Sequence, residues 1–548
     1  MGPSAIKFEN YYNQKIPLTI GLKKSINNDN SVYVFQFKFD NKYLTFKIIE
    51  LGDKKVIRDC HLDILINKNI RKINNKTLHI NRGVLIKYEN QYKLSKLKTL
   101  NRSPFKSTLF MTLDIETLNI DNKLIPYAIG FYNGKEFEYE YGDNAIINIF
   151  KKLFIKKYHN YVIYVHNLSK FDYIYLIDQL SKMNHKVEII PSSSSINIVK
   201  FIIKYEIEGK IYKISFHDSI QILNSSLDKL CKSFDVPTKK SIFPYNFMDS
   251  LNKINYIGIK PDKYLYTNGL PDNYDNIKFW DAKKETLEYL KNDCVSLYQI
   301  IDKFSHNIHL LNGVDISKYP TLPSIAMAIF RTKYYDEKMN ITNLKGKVRT
   351  FIQKGYFGGI VDVYIPQGVN LYCYDINSLY PFTMLNDMPI GDPTYVLGDI
   401  DLDKFFGFLK VKIKAPDLNI PFLPKHHNGF LISPIGEWEG VYFSEELKYA
   451  KSLGYQIEIL EGIQFNKGKP FDNYVNEFYK IKSLSDSIRK MIAKLLLNSL
   501  YGRMGMNEKL YKSSILDDKQ LLDLLNQKYE VELAIDRNNK VFGRPKKE

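Results

Sequence analysis

The stretch that most restricts how this chain can fold is Phe110-Met111-Thr112-Leu113-Asp114-Ile115-Glu116-Thr117, an apolar, β-prone run interrupted by two carboxylates. Strand side chains alternate, so Asp114 and Glu116 share one face while Leu113 and Ile115 point into a core. Two carboxylates side by side repel, which is costly unless a cation sits between them; the alternative is an exposed edge strand with paired charges. Further on, Tyr164-Val165-His166-Asn167-Leu168-Ser169-Lys170-Phe171-Asp172 reads as strand, turn and helix start, and presents Asp172. A meander is expected over Lys186–Ile190, Asn197–Glu208 and Lys210–Asp218, with turns at Pro191–Ser195 and Gly209. Leu287–Asp293 is expected to be helical, with Tyr289 and Asp293 at i,i+4 on one face. Four acidic residues on a β-then-α pattern are what two-cation hydrolysis of a phosphodiester needs: one ion deprotonates the attacking water, the other holds the leaving oxygen.

A second candidate site lies in the C-terminal half. Val369–Tyr374 is mostly apolar and reads as a buried strand that delivers Asp375 to its end and breaks into a turn closed by Pro381. Arg489–Gly502 has good helix formers and no breaker before Gly502. On a helix Lys490, Lys494, Asn498 and Tyr501 fall along one stripe, with Met491, Leu495 and Leu496 on the side expected to pack. Bland alternatives exist for each: Asp375 as a turn cap, and the lysines as the solvated face of a surface helix. The paired glycines of Tyr356-Phe357-Gly358-Gly359 suit a backbone passing close to a nucleic-acid strand, or a plain turn with positive φ.

Taken in order, D-x-E at Asp114 and Glu116, H-N-x-x-x-F-D at His166–Asp172 and Y-x-x-x-D at Tyr289–Asp293 resemble the three motifs of DEDDy-type 3′–5′ exonucleases that accompany family B DNA polymerases. Tyr374–Pro381 resembles the D-x-x-S-L-Y-P motif of those polymerases, Lys494–Gly502 their K-x-x-x-N-S-x-Y-G motif, and Tyr356–Gly359 their Y-x-G-G linker. The protein-primed branch is suggested by Ser219–Leu223, similar to its S/T-L-x-x-h motif with Ile220 in place of Leu, and by Lys240–Phe243, similar to its K-x-x-h motif. Ser226-Leu227 fits the first of these letter patterns better but lies farther from the strand end, so the choice of serine stays open. For Lys240 the alternative is a solvated surface lysine.

The resemblance implies an α/β multidomain fold: an RNase H-like 3′–5′ exonuclease domain followed by a family B polymerase palm and fingers. It implies that Asp114, Glu116, Asp172 and Asp293 hold Mg2+ (or Mn2+), that Tyr289 orients the attacking water, and that Lys240 steadies the scissile phosphate. Asn167 and Phe171 would grip a single-stranded 3′ end, with Ser219, Leu223, Tyr356, Gly358 and Gly359 as further DNA contacts. For nucleotidyl transfer, Asp375 would bind metal, Tyr380 would lie under the incoming sugar, Lys482, Lys490 and Lys494 would meet the triphosphate, and Asn498 and Tyr501 would line the nascent base pair. The partners implied are primer–template DNA, single-stranded 3′ ends, deoxynucleoside triphosphates and a terminal priming protein.

A chain of 548 residues exceeds one core, and the motifs divide it into 1–105 (a basic region of unknown role), 106–305 (exonuclease), 306–350 (helical connection) and 351–548 (partial polymerase domain). An insertion is expected at about 396–475 and fingers at about 480–515. The Y-x-D-T-D-S hairpin that carries the family's second palm aspartate does not occur in the sequence; Asp517, Asp518 and Asp536 lack its wording. A chain without the C-terminal palm and thumb is therefore expected, with two alternatives to a polymerase: a chain active only as an exonuclease, or a non-catalytic DNA-binding remnant. A net charge of +18 suits a phosphate-rich partner through counterion release. Four cysteines without C-x-x-C spacing argue for free thiols rather than zinc or disulfides, and His426-His427 is expected on a surface loop. No apolar run reaches the 18 or so residues of a membrane span. The 41 Tyr and 33 Phe against 2 Trp, with much Lys, Asn and Ile, reflect A·T-rich codons, from which a mitochondrion or its linear plasmid is expected, the cytoplasm otherwise.

Overall fold

The structure is a computed structural model that describes residues 5–8, 18–27, 30–39, 42–50, 69–73, 75–81, 84–183, 185–191, 198–363, 365–484, 487–506, 513–516, 518–527, 530–537 and 540–546. The chain forms two compact units, one from Met1–Leu97, Glu337–Tyr374 and Asp387–Gly468, the other from Lys98–Asp336, Asp375–Asn386 and Lys469–Glu548. In the first, β1 (Ala5–Phe8), β2 (Leu18–Asn27), β3 (Asn30–Phe39) and β4 (Lys42–Glu50) make a four-stranded antiparallel sheet in chain order. Three further strands, β5 (Asn69–Ile73), β6 (Lys76–Asn81) and β7 (Val84–Gln91), form a meander.

The second unit is built on a mixed sheet. Its strands β8 (Phe110–Ile120), β9 (Lys123–Tyr132) and β10 (Phe137–Tyr141) form an antiparallel meander, and β11 (Val162–Val165) lies parallel to β8. The expected meander follows as β12 (Lys186–Pro191), β13 (Ile198–Ile207) and β14 (Lys210–Asp218), with β14 parallel to β11. The turn residues Ser192–Ser195 lie outside the described residues. Helices α1 (Ala145–Leu153) and α2 (Asp172–Ser181) cover one face. There Ile149, Phe150, Leu176 and Leu180 pack on Met111, Leu113 and Ile115 of β8. After α3 (Leu227–Phe234) and the two-residue ladder of β15 (Ile257–Gly258) with β16 (Trp280–Asp281), α4 (Ala282–Asn312) packs Tyr289, Leu290 and Cys294 with Leu118, Tyr127 and Ala128. The Asp281 carboxylate accepts the Lys284 N–H at the start of α4, and Gly313 takes a left-handed φ of 67° at its end, the two residue types that helix termini favour. With helices on both faces, β8 is a buried central strand, so the edge-strand alternative for Asp114 and Glu116 fails.

The first unit has a second antiparallel sheet. It is made of β17 (Met388–Gly398), β18 (Gly407–Ala415), β21 (Gly436–Phe443) and β22 (Gln456–Gly468), and it continues through β7, β6 and β5 in the order β21-β18-β22-β17-β7-β6-β5. Asn69–Ile73, Lys76–Asn81 and Val84–Gln91, which fall in the basic region 1–105 expected from the sequence, are therefore part of this sheet: Thr394 to Gly398 pair with Gln91 to Lys87. A small hairpin, β19 (Lys425–His427) with β20 (Phe430–Ile432), places His426 and His427 on an exposed strand rather than a loop.

Three further expectations need correction. Val369–Tyr374 is not a strand: it is irregular, with Leu371 80 % and Tyr374 89 % exposed, and Asp375 is exposed too. A buried strand needs paired neighbours for its N–H and C=O groups, and no described strand pairs with this segment. Gly358 and Gly359 do not take positive φ. The second unit's helical hairpin of α6 (Asp472–Leu484) and α7 (Ser487–Leu497), preceded in sequence by α5 (Leu379–Thr383), also stops short of Gly502. Asn498 and Ser499 break it before α8 (Leu500–Met504), because the Ser499 hydroxyl donates back to the Leu495 carbonyl at 2.6 Å and competes with the helix. The buried stripe is Ile492, Ala493, Leu496, Leu497 and Leu500, one position off from Met491 and Leu495, which are half-buried.

Candidate active site

The three parallel strands β8, β11 and β14 run in register, with Val165 opposite both Leu113 and Asp218. Beyond that level β11 and β14 end, while β8 continues and carries Asp114 and Glu116 past the edge. In an open α/β sheet this carboxyl edge is where a crevice forms. A register shift between β8 and β9 falls right after Glu116, an irregularity of the kind that re-aims side chains at sites. The turn after β11 holds Asn167 in a left-handed conformation and starts α2 at Asp172, and α4 brings Tyr289 and Asp293 in from the other face.

These residues surround one cavity of about 700 Å³, lined by Asp114, Glu116, Asn167, Phe171, Lys240, Tyr289 and Asp293 among others. Asp172 is buried beside it and acts electrostatically on Glu116. Burial and the charge of Asp293 push the Asp114 carboxyl up to about 7, with Lys240 opposing. Glu116 is raised well above the ordinary range by burial and by Asp114, and Asp172 by burial and by Asp114. Burial also raises Asp293, against the pull of Lys240, whose Nζ donates to Asp293 Oδ2 at 3.0 Å. Burial works against the Lys240 ammonium, but Asp293, Tyr245 and Asp114 hold its pKa above the usual lysine value. Lys240 is therefore the cluster's counter-charge and not a solvated surface lysine.

The Oδ1 atoms of Asp172 and Asp293 are buried without a hydrogen-bond partner. Orphan carboxylate oxygens in a cluster of raised acids fit a divalent cation, which supplies the missing positive charge. Among the described residues no group of three or more His, Cys, Asp or Glu side chains is gathered so that it could hold a metal ion. Magnesium does not require one, since it keeps waters and binds through one or two carboxylates. The Tyr289 hydroxyl is hydrogen-bonded to that of Tyr245, and burial and nearby acids raise both phenols, so they stay protonated.

Not every expected residue lines the cavity. Ser219 and Leu223 are buried, the Ser219 hydroxyl bonding His166 Nδ1 at 2.8 Å. The lining serines are Ser225 and Ser226, with Leu227; of Ser219–Leu223 Ile220 lines the cavity, and Ser219 and Leu223 do not. Sequence reasoning assigned no role to His166, whose ring also bonds the Ser225 carbonyl at 3.0 Å, and it missed Tyr245, for which no motif letter gave a signal.

Elsewhere in the same unit, the Tyr380 ring stacks on Tyr501 with centroids 4.6 Å apart, and Lys482 Nζ donates to Ser378 Oγ at 2.8 Å. Lys490 and Lys494 stand exposed on α7, and Asn498 is exposed directly after it. In the first unit, Tyr356, Gly358 and Gly359 lie exposed on an irregular segment.

A mixed sheet with an acidic crevice at its carboxyl edge, followed by a lysine-bearing helical hairpin, makes this an α/β chain. Residues 153–544 match the family of DNA polymerases type B, organellar and viral, and the chain belongs to that family. A probable DNA polymerase of Neurospora intermedia is 35 % identical over 542 residues, covering 87 % of this chain and 55 % of that protein. One of Ascobolus immersus is 35 % identical over 534 residues, covering 90 % and 43 %. The chain thus spans about half the length of these relatives. Among solved structures, Phi29 DNA polymerase complexed with primer–template DNA shares the fold at a TM-score of 0.55 and 18 % identity, over 80 % of this chain and 72 % of that one. The same polymerase in a ternary complex with primer–template DNA and incoming nucleotide gives a TM-score of 0.56 at 17 % identity, over 82 % and 73 %. Family B DNA polymerases depend on divalent metal ions in general. No described helix is long and apolar enough to cross a membrane.

Proposed function

We propose that this chain carries the 3′–5′ exonuclease and the nucleotide-binding fingers of a protein-primed, DNA-directed DNA polymerase that replicates a linear plasmid or similar element, located in the mitochondrion. The observation that carries the nuclease half is the meeting of Asp114, Glu116 and Asp293 with Lys240 and Tyr289 at one cavity, with Asp172 buried beside it. Asp114, Glu116, Asp172 and Asp293 would hold Mg2+ or Mn2+, which when bound supplies Lewis-acid activation of water and charge for the leaving oxygen. The chain's own residues do the rest. Phe171 and Asn167, at the cavity wall, receive the unpaired 3′ end, Phe171 by stacking on a base. Lys240 offsets charge on the scissile phosphate. Tyr289, kept protonated, donates a hydrogen bond that orients a water but cannot deprotonate it. For synthesis, Tyr380 and Tyr501 supply an aromatic platform for the incoming deoxynucleotide, and Lys482, Lys490 and Lys494 meet its triphosphate. A terminal protein would provide the first hydroxyl.

A second reading, nuclease activity alone for this chain, is favoured by the contrast between the gathered carboxylates and the exposed Asp375. Purified chain with Mg2+ and an end-labelled primer–template decides. Shortening without deoxynucleotides and lengthening with them supports the full proposal. Shortening alone supports the second reading. Binding without either reaction leaves a DNA-binding remnant and overturns both.

A further inference from the structure

The strand carboxylates and the helix carboxylate come from elements whose spacing nothing in the motifs fixes. Two buried hydrogen-bonded connections between α4 and the sheet lie on either side of them. At one end the fully buried Thr112 hydroxyl donates to the Cys294 carbonyl at 2.7 Å, and the Cys294 thiol donates to the Gly130 carbonyl at 3.4 Å. Gly130 is the β9 residue opposite Asp114, Thr112 precedes Asp114 by one alternation on the same strand face, and Cys294 follows Asp293 directly. At the other end the Tyr127 hydroxyl meets the Thr286 hydroxyl at 3.1 Å, both buried, with Tyr127 next to Ala128, the partner of Glu116.

Neither bond is needed to complete the helix. A mid-helix carbonyl such as that of Cys294 is already supplied by an N–H four residues on, and Thr112 offers it a second donor. A hydroxyl on a fully buried strand face gains no hydrophobic stability over a methyl of the same shape. What the bond adds is registry: it fixes how far α4 can slide or tilt along β8.

We propose that Thr112 and Thr286 are positioning residues, holding Asp293 and Tyr289 at a set distance from Asp114 and Glu116 so that the carboxylates act on common divalent cations. The proposal rests on the nuclease reading above. Partners that orient metal-binding groups typically carry a 10–100-fold share of metal affinity.

Mn2+ alone, titrated into the whole chain and followed by its paramagnetic resonance signal, tests this beside nuclease rates and thermal melting. Thr112→Val, which keeps shape and loses the hydroxyl, is expected to weaken Mn2+ binding about tenfold or more, and Thr112→Ser to restore it to near wild type. A folded Thr112→Val with wild-type Mn2+ affinity and nuclease rate overturns the proposal, as does a loss that Thr112→Ser fails to restore. Should Thr112→Val lose its melting transition, Thr286→Val carries the same test, and unchanged Mn2+ affinity there overturns it. Wild-type chain that neither binds Mn2+ nor shortens DNA overturns the nuclease reading itself, and the positioning role with it.

Discussion

The acidic cavity makes a quantitative prediction about stability and pH in metal-free solution. The folded chain holds the Asp114 proton up to about pH 7, against an ordinary value of 3.8. The folded pKa is raised, so folding takes up a proton, and stability is greatest at low pH and falls as pH rises through the window from about 4 to 7. Three pKa units correspond to about 4 kcal/mol. Asp114→Asn removes this penalty and keeps the shape, but also forfeits the attraction of Lys240, so the expected net gain at pH 8 is about 2–4 kcal/mol. For a unit of this size that is on the order of 3–6 °C in Tm. Near pH 4, where wild type is protonated, the two proteins are expected to melt together. The assay is thermal unfolding of both in EDTA across pH 4–8, followed by far-ultraviolet circular dichroism. Saturating Mg2+ should then close the gap by stabilising wild type through binding. An Asn variant that gains nothing at pH 8, or whose advantage shrinks as pH rises, would refute the argument that these carboxylates are forced together without enough counter-charge.

Other consequences follow from single contacts. Phe171→Ala is expected to raise KM for single-stranded DNA by about 5- to 150-fold, the worth of one stacked base, with kcat little changed; steady-state kinetics on an oligonucleotide checks it. Ser219→Ala leaves His166 Nδ1 short of a partner and is expected to cost ~1–3 kcal/mol of stability without altering KM, whereas Ser226→Ala is expected to raise KM. A KM effect confined to Ser219 would contradict their placement. Lys240→Met removes the cation that opposes the rise of Asp114 and Asp293, so the acid limb of the nuclease pH–rate profile is expected to move to higher pH.

How much of this could be read before the fold was known varies by residue. Alternation on Phe110–Thr117 and the i,i+4 pair Tyr289–Asp293 were legible because a strand and a long helix impose fixed periods on their side chains. Lys240 was legible from its motif, but not the ion pair with Asp293, which depends on a loop folding back over α4. That Ser226 lines the cavity and Ser219 does not, a choice the sequence left open, has a local cause. The strand end at Asp218 looks like the site edge, but the next residues coil, Asp218 accepting the Ile220 N–H, so that Ile220 touches the cavity while Ser219, Ile222 and Leu223 are buried away from it, and the serines that line it come at Ser225 and Ser226. Val369–Tyr374 misled because apolar composition reports a need for cover, not its presence, and no described strand supplies it. The union of β7 with β17, more than 300 positions apart in sequence, left no mark on either segment, since pairing between backbones is nearly blind to side chains.

The most direct test of the central claim, that four carboxylates from three elements form one divalent-metal nuclease site, is nucleotide release from a 3′-labelled single-stranded oligonucleotide by wild type and by Asp114→Asn, Glu116→Gln and Asp293→Asn. The account predicts Mg2+-dependent release by wild type, abolished by EDTA and reduced by at least about 100-fold in each variant, while each still binds the oligonucleotide. Release that survives these substitutions, or none from folded wild type with Mg2+ or Mn2+ present, would contradict it.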